Sequence, residues 1–338
     1  MYTPNRRAFL RNSVRAAAVV GAGAGLTGML ASCGSPGAAS SGSDPKAITL
    51  QSAWINDAEF MGYYIAKDEG YYQRAGIDFT YLSGGPSVIP ESTLLAGRAD
   101  VALTTPDTTI KAIAEQNAPF VIIGAQYQKN PLGVVSLEGN GITKPQDLVG
   151  KRLAVPDVNR LAVEAMFKIN DIPVDDVRIV PYAYDPTPLL KGEVDATVDF
   201  TVNIPYTIRQ AGGEPTSFLL YDVGFKIFND TVVVTRDVLQ NKRETLVAWL
   251  RASREGWQRN FADPTAFPPR YADSWFKGTG RTIDNEIYFN EHSKPLIEAG
   301  GGVFAMSEQA IADCVDSLKQ LGLAATPEMF DASLIAEL

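Results

Sequence analysis

Two kinds of hydrophobic pattern alternate along the chain from residue 47 onward. Short runs rich in Val, Ile and Leu are typical of strands, whereas apolar positions three and four residues apart are typical of helices. The first part of this region predicts strands at 48–52, 77–82, 101–104, 121–125 and 133–136, and helices at 60–69, 87–96 and 108–116. Such alternation indicates an α/β chain with mostly parallel strands.

The same scheme restarts after residue 136. It predicts strands at 153–155, 177–180, 196–200 and 231–235, helices at 161–170 and 187–191, and then helices at 243–261, 264–276, 285–297 and 307–321. We therefore expect an α/β lobe over 47–135, a second over 136–230, and a segment over 231–338 whose helices return to the first lobe. A chain of 338 residues that is 45% hydrophobic is long enough for two such lobes.

Two short segments are similar to each other and support two similar lobes. Residues 97–102 and 192–197 both read Gly-x-x-Asp and then enter a strand, with the glycine suited to close a helix in the left-handed conformation. Each strand runs into a loop that contains proline. Ligands of open α/β sheets lie beyond the carboxyl ends of the strands, so both loops are expected to face one cleft. The residues predicted to face it from these loops are Thr105, Asp199, Thr201 and Asn203.

The first residues have the organisation of an export signal. Arg6 and Arg7 form a twin arginine, and an uncharged run of Ala, Gly, Val and Leu follows over 16–30. A run of this length is too short to span a bilayer, which needs about 20 residues. It indicates a signal peptide over 1–32, and the paired arginines indicate the twin-arginine route.

A lipid attachment site is predicted directly after this signal. Leu30-Ala31-Ser32-Cys33 matches the lipobox of bacterial lipoproteins, in which the cysteine is acylated and becomes the new N-terminus. The Gly-, Ser- and Pro-rich stretch that follows, over 33–46, is typical of a flexible tether. We therefore expect a lipid-anchored protein on the extracytoplasmic face of a bacterial cell membrane.

The charge of the chain divides between these two parts. Residues 1–32 carry four of the 30 basic residues and none of the 39 acidic ones, which leaves the rest of the chain with a net charge of −13. An acidic body lacks the basic surface that nucleic-acid binding needs. One histidine, His292, and two cysteines, Cys33 and Cys314, are a poor set for a zinc or iron site. Cys314 occupies an apolar helical position and is predicted to be a small core residue.

Several motifs in order resemble a known family. They are Gly70-Tyr71-Tyr72, Ala75-Gly76-Ile77-Asp78, Leu95-Ala96-Gly97-Arg98-Ala99-Asp100, Asp147-Leu148-Val149-Gly150-Lys151 and Asp185-Pro186-Thr187-Pro188-Leu189-Leu190. Over residues 48–260 the chain resembles the SsuA/THI5-like (NMT1-like) solute-binding proteins of ABC importers. The resemblance implies a type II periplasmic-binding fold, in which two α/β lobes close on a small molecule and present it to a permease and its ATPase. We expect a monomer with no cofactor and no catalytic residues.

The loop after the first strand supplies most of the candidate ligand contacts. Its aromatic side chains suit stacking on a flat ring, and its polar side chains suit hydrogen bonds around that ring. These candidates are Trp54, Asn56, Asp57, Glu59, Phe60 and Tyr63. The alternative is that Asp57 caps the following helix and that the aromatic residues belong to the core. Gly84 and Gly85 offer backbone N–H groups to a ligand, or form only a capped turn.

In the second lobe, Tyr184 is predicted to face the cleft, whereas Asp185 before proline is typical of a helix cap. Many relatives carry Asn-Glu-Pro in the next cleft loop, where this chain has Asn203-Ile204-Pro205. Asp199 or Glu59 is expected to replace the missing acid. A small aromatic heterocycle such as a thiamine pyrimidine precursor is therefore the predicted solute, with a sulfonate, nitrate or riboflavin as alternatives.

An enzyme is the alternative of another class. The family includes pyrimidine synthases that use a lysine for pyridoxal phosphate, a nearby histidine and a cysteine-rich motif. The repeated Gly-x-x-Asp segment aligns Thr104 and Thr108 with that lysine and histidine, and residues 221–229 contain no cysteine. His292 is predicted to lie on the surface of a C-terminal helix. A binding protein is therefore favoured over a pyrimidine-synthesis enzyme.

Overall fold

Two five-stranded mixed sheets form the framework of the protein in the computed structural model, which describes residues 46–338. The signal peptide, the lipid anchor at Cys33 and all but the last residue of the predicted tether lie outside the described residues. The strands are β1 Ala47–Gln51, β2 Asp78–Leu82, β3 Val101–Thr104, β4 Phe120–Tyr127, β5 Leu132–Leu137, β6 Arg152–Val155, β7 Arg178–Pro181, β8 Ala196–Phe200, β9 Pro215–Leu219 and β10 Asn229–Thr235.

Helices connect and cover these strands. They are α1 Met61–Asp68, α2 Tyr71–Arg74, α3 Pro90–Leu95, α4 Pro106–Gln116, α5 Arg160–Ile169, α6 Thr187–Leu190, α7 Ile204–Gln210, α8 Arg236–Asn241, α9 Arg243–Ala262, α10 Ile283–Ile297 and α11 Glu308–Gln320. Short 3-10 helices lie between several of them, including Ala58–Phe60 just before α1. The alternation of strands and helices confirms the predicted two-lobed α/β fold.

The two sheets have the same topology. Their orders are β2-β1-β3-β10-β4 and β7-β6-β8-β5-β9, with three parallel strands followed by an antiparallel fourth strand in each. In each sheet, the antiparallel strand adjoins a segment in which the chain crosses to the other lobe. The crossing segments lie side by side, and the Asn130 N–H donates to the Ile227 carbonyl at 3.2 Å.

This topology moves the predicted boundary of the first lobe. The strand predicted at 133–136 was expected to end the lobe over 47–135, but β5 pairs with β8 and β9 of the second sheet. The chain therefore crosses at residues 128–131. The hydrophobic pattern could not show this, because β4 and β5 are both apolar runs whose partners lie far away in sequence.

The repeated Gly-x-x-Asp segments occupy equivalent positions in the two lobes. The Thr49 N–H donates to Asp100 Oδ2 at 2.9 Å, and the Arg152 N–H donates to Asp195 Oδ2 at 2.7 Å. Each aspartate also meets a cation at 2.8 Å, Lys242 in the first lobe and Arg152 in the second. Each aspartate therefore links the start of one strand to the neighbouring parallel strand, β3 to β1 in the first sheet and β8 to β6 in the second.

The core of the first lobe depends on helices from the C-terminal segment. Tyr63 of α1 stacks on Trp249 of α9, with ring centroids 5.9 Å apart. The helices approach this closely because Gly62 and Gly256 lack side chains: a Cβ at Gly62 would lie 2.4 Å from the Trp257 ring. The return of this segment to the first lobe therefore holds for α9.

One detail of the C-terminal prediction is incomplete and another is wrong. Helix α11 was expected to pack on the first lobe, but it contacts α5 of the second lobe. Its apolar side chains, including Cys314, share a core with residues of both lobes. The helix predicted at 264–276 is reduced to the 3-10 helix Pro268–Tyr271, because prolines at the centre of this segment remove backbone donors.

Candidate binding site between the two lobes

A cavity of about 690 Å³ is lined by residues of both lobes. Its walls come mainly from loops at the carboxyl ends of β1, β7 and β8 and from the start of α10. The lining residues are Trp54, Glu59, Leu132, Val158, Asn159, Tyr184, Asp199, Phe200, Asn203, Ile204, Tyr206, Thr207, Gln210, Gly280, Arg281, Thr282, Asn285 and Phe289. This volume falls within the range of small-molecule sites, about 300–1,000 Å³.

Two aromatic rings from opposite lobes meet at one side of the cavity. The ring of Trp54, in the loop after β1, lies 6.1 Å from the ring of Tyr184, in the loop after β7. Tyr184 has a left-handed backbone with φ of 59° and is 47% exposed. Since this conformation is uncommon for a bulky residue, the β7–α6 loop holds the tyrosine toward the opposite lobe at a conformational cost.

Polar contacts join the lobes on another side of the cavity. Asn285 of α10 donates to Asn203, which precedes α7, at 3.1 Å. Arg209 of α7 donates to the Tyr288 hydroxyl of α10 at 3.1 Å. The tyrosine ring also lies 5.6 Å from Tyr206. Helices α7 and α10 are therefore in contact at this side of the cavity.

Two carboxyl groups lie in the cavity wall, and both are almost fully buried. Glu59 is 4% exposed and Asp199 is 7% exposed. Asp199 accepts hydrogen bonds from the Tyr182 hydroxyl at 3.0 Å and from the Phe200 N–H at 2.7 Å. Burial raises the pKa of Asp199 to about 6, although those hydrogen bonds and Arg281 act to lower it. The wall is therefore rich in hydrogen-bond acceptors and poor in positive charge.

Three more buried carboxyl groups lie next to Glu59. Burial raises the pKa of Asp57 to about 6, although Arg281 acts to lower it. The pKa of Asp230 is raised to about 7 by burial, and that of Glu286 to about 8 by burial and the charge of Asp57. Desolvation disfavours the charged form of each group. This cluster therefore retains protons near neutral pH.

Arg281 is the cation that faces both the cluster and the cavity. Its Nη2 lies 3.1 Å from Asp57 Oδ2, and its Nε lies 3.8 Å from Glu286 Oε1. Its Nη1 is buried and has no hydrogen-bond partner among residues 46–338. A donor that is buried and unpaired in a cavity wall is available to an acceptor atom of a ligand.

Five of the residues predicted from the sequence lie together in this cavity. They are Trp54, Glu59, Tyr184, Asp199 and Asn203. All five lie in or next to loops that follow strands, where the topology of an α/β sheet places ligand contacts. Ile204, at the position where relatives carry glutamate, also lines the cavity.

Phe60 and Tyr63 are not part of the cavity lining. Both are fully buried in the core of the first lobe, where Tyr63 stacks on Trp249. Asp57 is the N-cap of the 3-10 helix Ala58–Phe60, with its Oδ1 accepting from the Glu59 N–H at 3.0 Å. The alternative that the sequence left open, a cap and core aromatics, therefore holds for these three residues.

The predicted glycines support the loop rather than the cavity. The Gly84 N–H donates to the Trp54 carbonyl at 2.9 Å, and the Gly85 N–H donates to the Ala53 carbonyl at 3.3 Å. A Cβ at Gly84 would lie 2.4 Å from the Ser52 carbonyl oxygen, so a side chain there would displace the loop. These glycines hold Trp54 in position.

Three further predicted residues also lie outside the lining. Thr105 is the N-cap residue of α4, and its Oγ1 lies 3.3 Å from the Thr108 hydroxyl. The Thr201 hydroxyl donates to the Pro131 carbonyl at 3.2 Å, which ties the second lobe to a crossing segment. Asn56 is half-buried, and its Oδ1 has no hydrogen-bond partner in the described part of the chain.

The sequence did not predict the contribution of the C-terminal segment. Arg281, Asn285 and Phe289 line the cavity from a loop and a helix more than 220 residues beyond Trp54. The available signal was Gly278-Thr279-Gly280-Arg281, in which both glycines adopt left-handed backbone angles. A basic residue in such a tight loop ahead of a helix is a candidate for an irregular, functional position.

Between residues 46 and 338, no group of three or more His, Cys, Asp or Glu side chains is arranged to hold a metal ion. No helix in the same range is long and apolar enough to cross a membrane. His292 is exposed on α10, and its ring stacks on Tyr288 with centroids 3.7 Å apart, as predicted for a surface residue.

Comparison with known proteins agrees with this architecture. The family model described as NMT1/THI5 like matches residues 57–267. The chain is 22% identical over 222 residues to the riboflavin-binding protein RibY of Chloroflexus aurantiacus, covering 64% of this chain and 63% of RibY. It is 23% identical over 217 residues to the formylaminopyrimidine-binding protein of Halalkalibacterium halodurans, covering 62% and 65%. The matched region thus spans somewhat less than two thirds of each relative.

The fold is also found in solved structures. The periplasmic aliphatic sulphonate binding protein SsuA of Escherichia coli aligns with a TM-score of 0.64 and 14% sequence identity. The alignment covers 82% of this chain and 86% of SsuA. The chain therefore belongs to the NMT1/THI5-like family and has the two-lobed α/β fold of periplasmic binding proteins.

Proposed function

We propose that the protein is an extracytoplasmic solute receptor of an ABC importer and that its solute is a neutral or cationic aromatic heterocycle. The observation that carries this proposal is the presence of two buried carboxyl groups, Glu59 and Asp199, in the wall of a cavity that also contains aromatic rings. Aromatic rings favour a flat ligand, and carboxyl groups favour a ligand that donates hydrogen bonds.

The same wall argues against an anionic solute such as a sulfonate or nitrate. Arg281 is the cation that lines the cavity, and its guanidinium already faces Asp57 and Glu286. An anion presents acceptor atoms alone, and it would oppose ionisation of the buried carboxyl groups, because a second negative charge is unfavourable where the local dielectric is low.

A thiamine pyrimidine precursor is the first candidate solute. An aminopyrimidine has an amino donor and ring-nitrogen acceptors on one flat ring, which matches the carboxyl groups and the aromatic rings of Trp54 and Tyr184. The similarity to a formylaminopyrimidine-binding protein supports this candidate. Ile204 cannot make the hydrogen bond of the glutamate found in relatives, so Glu59 and Asp199 are the acids available for it.

Riboflavin is the second candidate. Its three fused rings would occupy more of a cavity of about 690 Å³ than a single pyrimidine does, and RibY is a relative named for binding it. Both candidates are aromatic nitrogen heterocycles that carry hydrogen-bond donors, so they belong to the proposed class.

Binding is a better account of this cavity than catalysis. The positions aligned with the lysine and histidine of the synthases are Thr104 and Thr108, and both hydroxyls donate to Glu91 rather than face the cavity. Recognition needs only shape and hydrogen bonds, which the lining supplies.

The panel that tests this function is a set of thermal unfolding curves. They are measured with 4-amino-5-hydroxymethyl-2-methylpyrimidine, formylaminopyrimidine, riboflavin, an alkanesulfonate and nitrate. A ligand at 100 times its dissociation constant stabilises the native state by about 2.7 kcal/mol, which for a protein of this size raises the melting temperature by about 4 °C. We expect a heterocycle to do this and the anions not to. Stabilisation by an anion alone would contradict the proposed solute class.

The membrane location has its own test. We propose that Cys33 carries a lipid that holds the receptor near its permease, and a lipid tether suits that role. The substitution Cys33→Ser should release the protein from the membrane fraction, whereas Cys314→Ser, which changes a buried core cysteine, should leave it there. Retention of the Cys33→Ser protein would contradict the anchor.

A further inference from the structure

Glu59 lies between the cavity and a second carboxyl group. It lines the cavity and is 4% exposed, and its carboxyl group lies near that of Asp230, an arrangement that acts to raise the pKa of Glu59 and to lower that of Asp230. Gln126 Nε2 donates to the Glu59 backbone carbonyl at 2.8 Å and to Asp230 Oδ2 at 3.0 Å, so it holds the two residues together. Two ionised carboxylates can only accept hydrogen bonds. A hydrogen bond between the carboxyl groups of Glu59 and Asp230 therefore forms only when one of them carries a proton.

The groups around this pair favour the protonated form. Burial, followed by the charges of Asp230 and Asp57, raises the pKa of Glu59 well above its ordinary value, and Arg281 only partly opposes them. The ionisable groups that interact with Glu59 or with the carboxyl groups beside it, or that line the cavity with it, are Asp57, Tyr63, Tyr64, Tyr81, Tyr127, Asp199, Asp230, Arg281 and Glu286. Burial raises the pKa of all four tyrosines, so the carboxyl groups, and not the tyrosines, change charge as the pH rises toward neutrality.

A neutral carboxylic acid recognises a different ligand from a carboxylate. It presents one O–H donor beside one carbonyl acceptor, whereas a carboxylate presents acceptors alone. The complementary edge of a heterocycle has an acceptor beside a donor, as in the amidine of an aminopyrimidine or the imide of a flavin. When the Glu59 hydroxyl turns to such a ligand, Asp230 keeps the hydrogen bond from Gln126.

We propose that Glu59 binds the solute as a neutral acid, with the proton it shares with Asp230, and that it selects heterocycles with adjacent donor and acceptor atoms. This inference rests on the proposed receptor function and names the polar anchor of that site. It gives Glu59 the role that Ile204, an apolar residue in the same wall, cannot fill. Asp199, which already accepts from Tyr182 and Phe200, is less free to take it.

The test compares two substitutions of Glu59 by isothermal titration calorimetry, with 4-amino-5-hydroxymethyl-2-methylpyrimidine and riboflavin as separate probes. Glu59→Gln keeps one donor and one acceptor in the shape of the neutral acid, whereas Glu59→Met keeps only the volume. At pH 6.0 the Gln variant should bind within about threefold of the wild type, and the Met variant should bind about 10- to 100-fold more weakly.

The pH dependence adds a readout that a structural role would not change. Wild-type affinity should fall as the pH rises from 6.0 to 8.5, approaching about tenfold per pH unit once the pair loses its proton. Affinity of the Gln variant should be flat over the same range, after correction for titration of the probe itself. Glu91→Gln is the matched control, because Glu91 is a buried glutamate that accepts from three threonines away from the cavity; it should behave as the wild type.

Each outcome decides between the two proposals. If a heterocycle binds the wild type but the Gln variant binds as poorly as the Met variant, a carboxylate is required and the inference is overturned, while the receptor function stands. The inference is likewise overturned if wild-type affinity rises with pH. If neither heterocycle binds the folded wild-type protein, the proposed solute class and the inference fail together. Far-UV circular dichroism of each variant checks that it is folded.

Discussion

The buried carboxyl cluster predicts that the protein becomes less stable as the pH rises toward neutrality. Asp230 is 2% exposed, and burial raises its pKa from 3.8 to about 7. The native state therefore holds a proton at pH values where the unfolded chain has released it. Since stability falls with pH wherever the native state binds more protons than the unfolded state, the free energy of unfolding should decrease between about pH 4 and pH 7.

The substitution Asp230→Asn isolates the contribution of this residue. One pKa unit corresponds to about 1.36 kcal/mol, and about two units separate pH 5 from the Asp230 pKa of about 7. Asp230 alone should therefore lower the free energy of unfolding by about 2–3 kcal/mol between pH 5.0 and pH 7.5. Asparagine is neutral at every pH and keeps the shape of the side chain. The variant should therefore show a smaller decrease, with the remainder due to the other buried carboxyl groups whose pKa is raised, Asp57, Glu59, Asp199 and Glu286.

Urea unfolding at the two pH values measures this difference. Tryptophan fluorescence is a suitable probe, because Trp249 and Trp257 are fully buried. Asp147→Asn is the control, because the hydrogen bond from the Thr143 backbone lowers the pKa of Asp147. The contribution of Asp147 to the free energy of unfolding is therefore complete above about pH 4, and the substitution should affect the protein equally at both pH values. If the wild-type free energy of unfolding rises over this pH range, or if the Asp230→Asn variant shows the same change with pH as the wild type, Asp230 does not hold a proton in the native state near neutral pH.

Two further predictions concern the packing of the first lobe. Gly62→Ala would place a Cβ 2.4 Å from the buried Trp257 ring and should lower the free energy of unfolding by about 3 kcal/mol. The control Gly139→Ala places its Cβ in open space and should change the free energy of unfolding by less than about 0.5 kcal/mol. Equal effects of the two substitutions in urea titrations would contradict the close α1–α9 contact. Lys242→Met should lower the free energy of unfolding by about 3 kcal/mol, because the substitution leaves the largely buried Asp100 without its ion pair at 2.8 Å. An unchanged free energy of unfolding would show that the ion pair is dispensable.

The sequence predicted those parts of the site that depend on local order along the chain. Trp54, Tyr184 and Asp199 lie in or beside loops after strands, and the alternation of strands and helices places such loops at one edge of each sheet. The equivalence of Asp100 and Asp195 was also visible, because a helix end and a strand start lie only a few residues apart in both lobes.

Features that depend on distant parts of the chain were not visible. Tyr63 belongs to the core because α9, nearly 190 residues further on, covers it with Trp249, and Phe60 belongs to the same core with its ring 6.2 Å from Tyr81. A helical pattern alone does not say which face is covered. Arg281 reaches the cavity from the loop between the helices predicted at 264–276 and 285–297, and no sequence pattern assigned that loop a partner. Its position depends on how α10 packs against the 3-10 helix before α1.

The central claim is that the cavity binds an aromatic heterocycle through carboxyl groups. Titration of the folded protein with 4-amino-5-hydroxymethyl-2-methylpyrimidine, riboflavin and an alkanesulfonate under identical conditions tests it directly. We expect saturable binding of a heterocycle at one site per chain, weakened by Trp54→Ala, and no binding of the sulfonate. Saturable binding of the sulfonate with no binding of either heterocycle would contradict it.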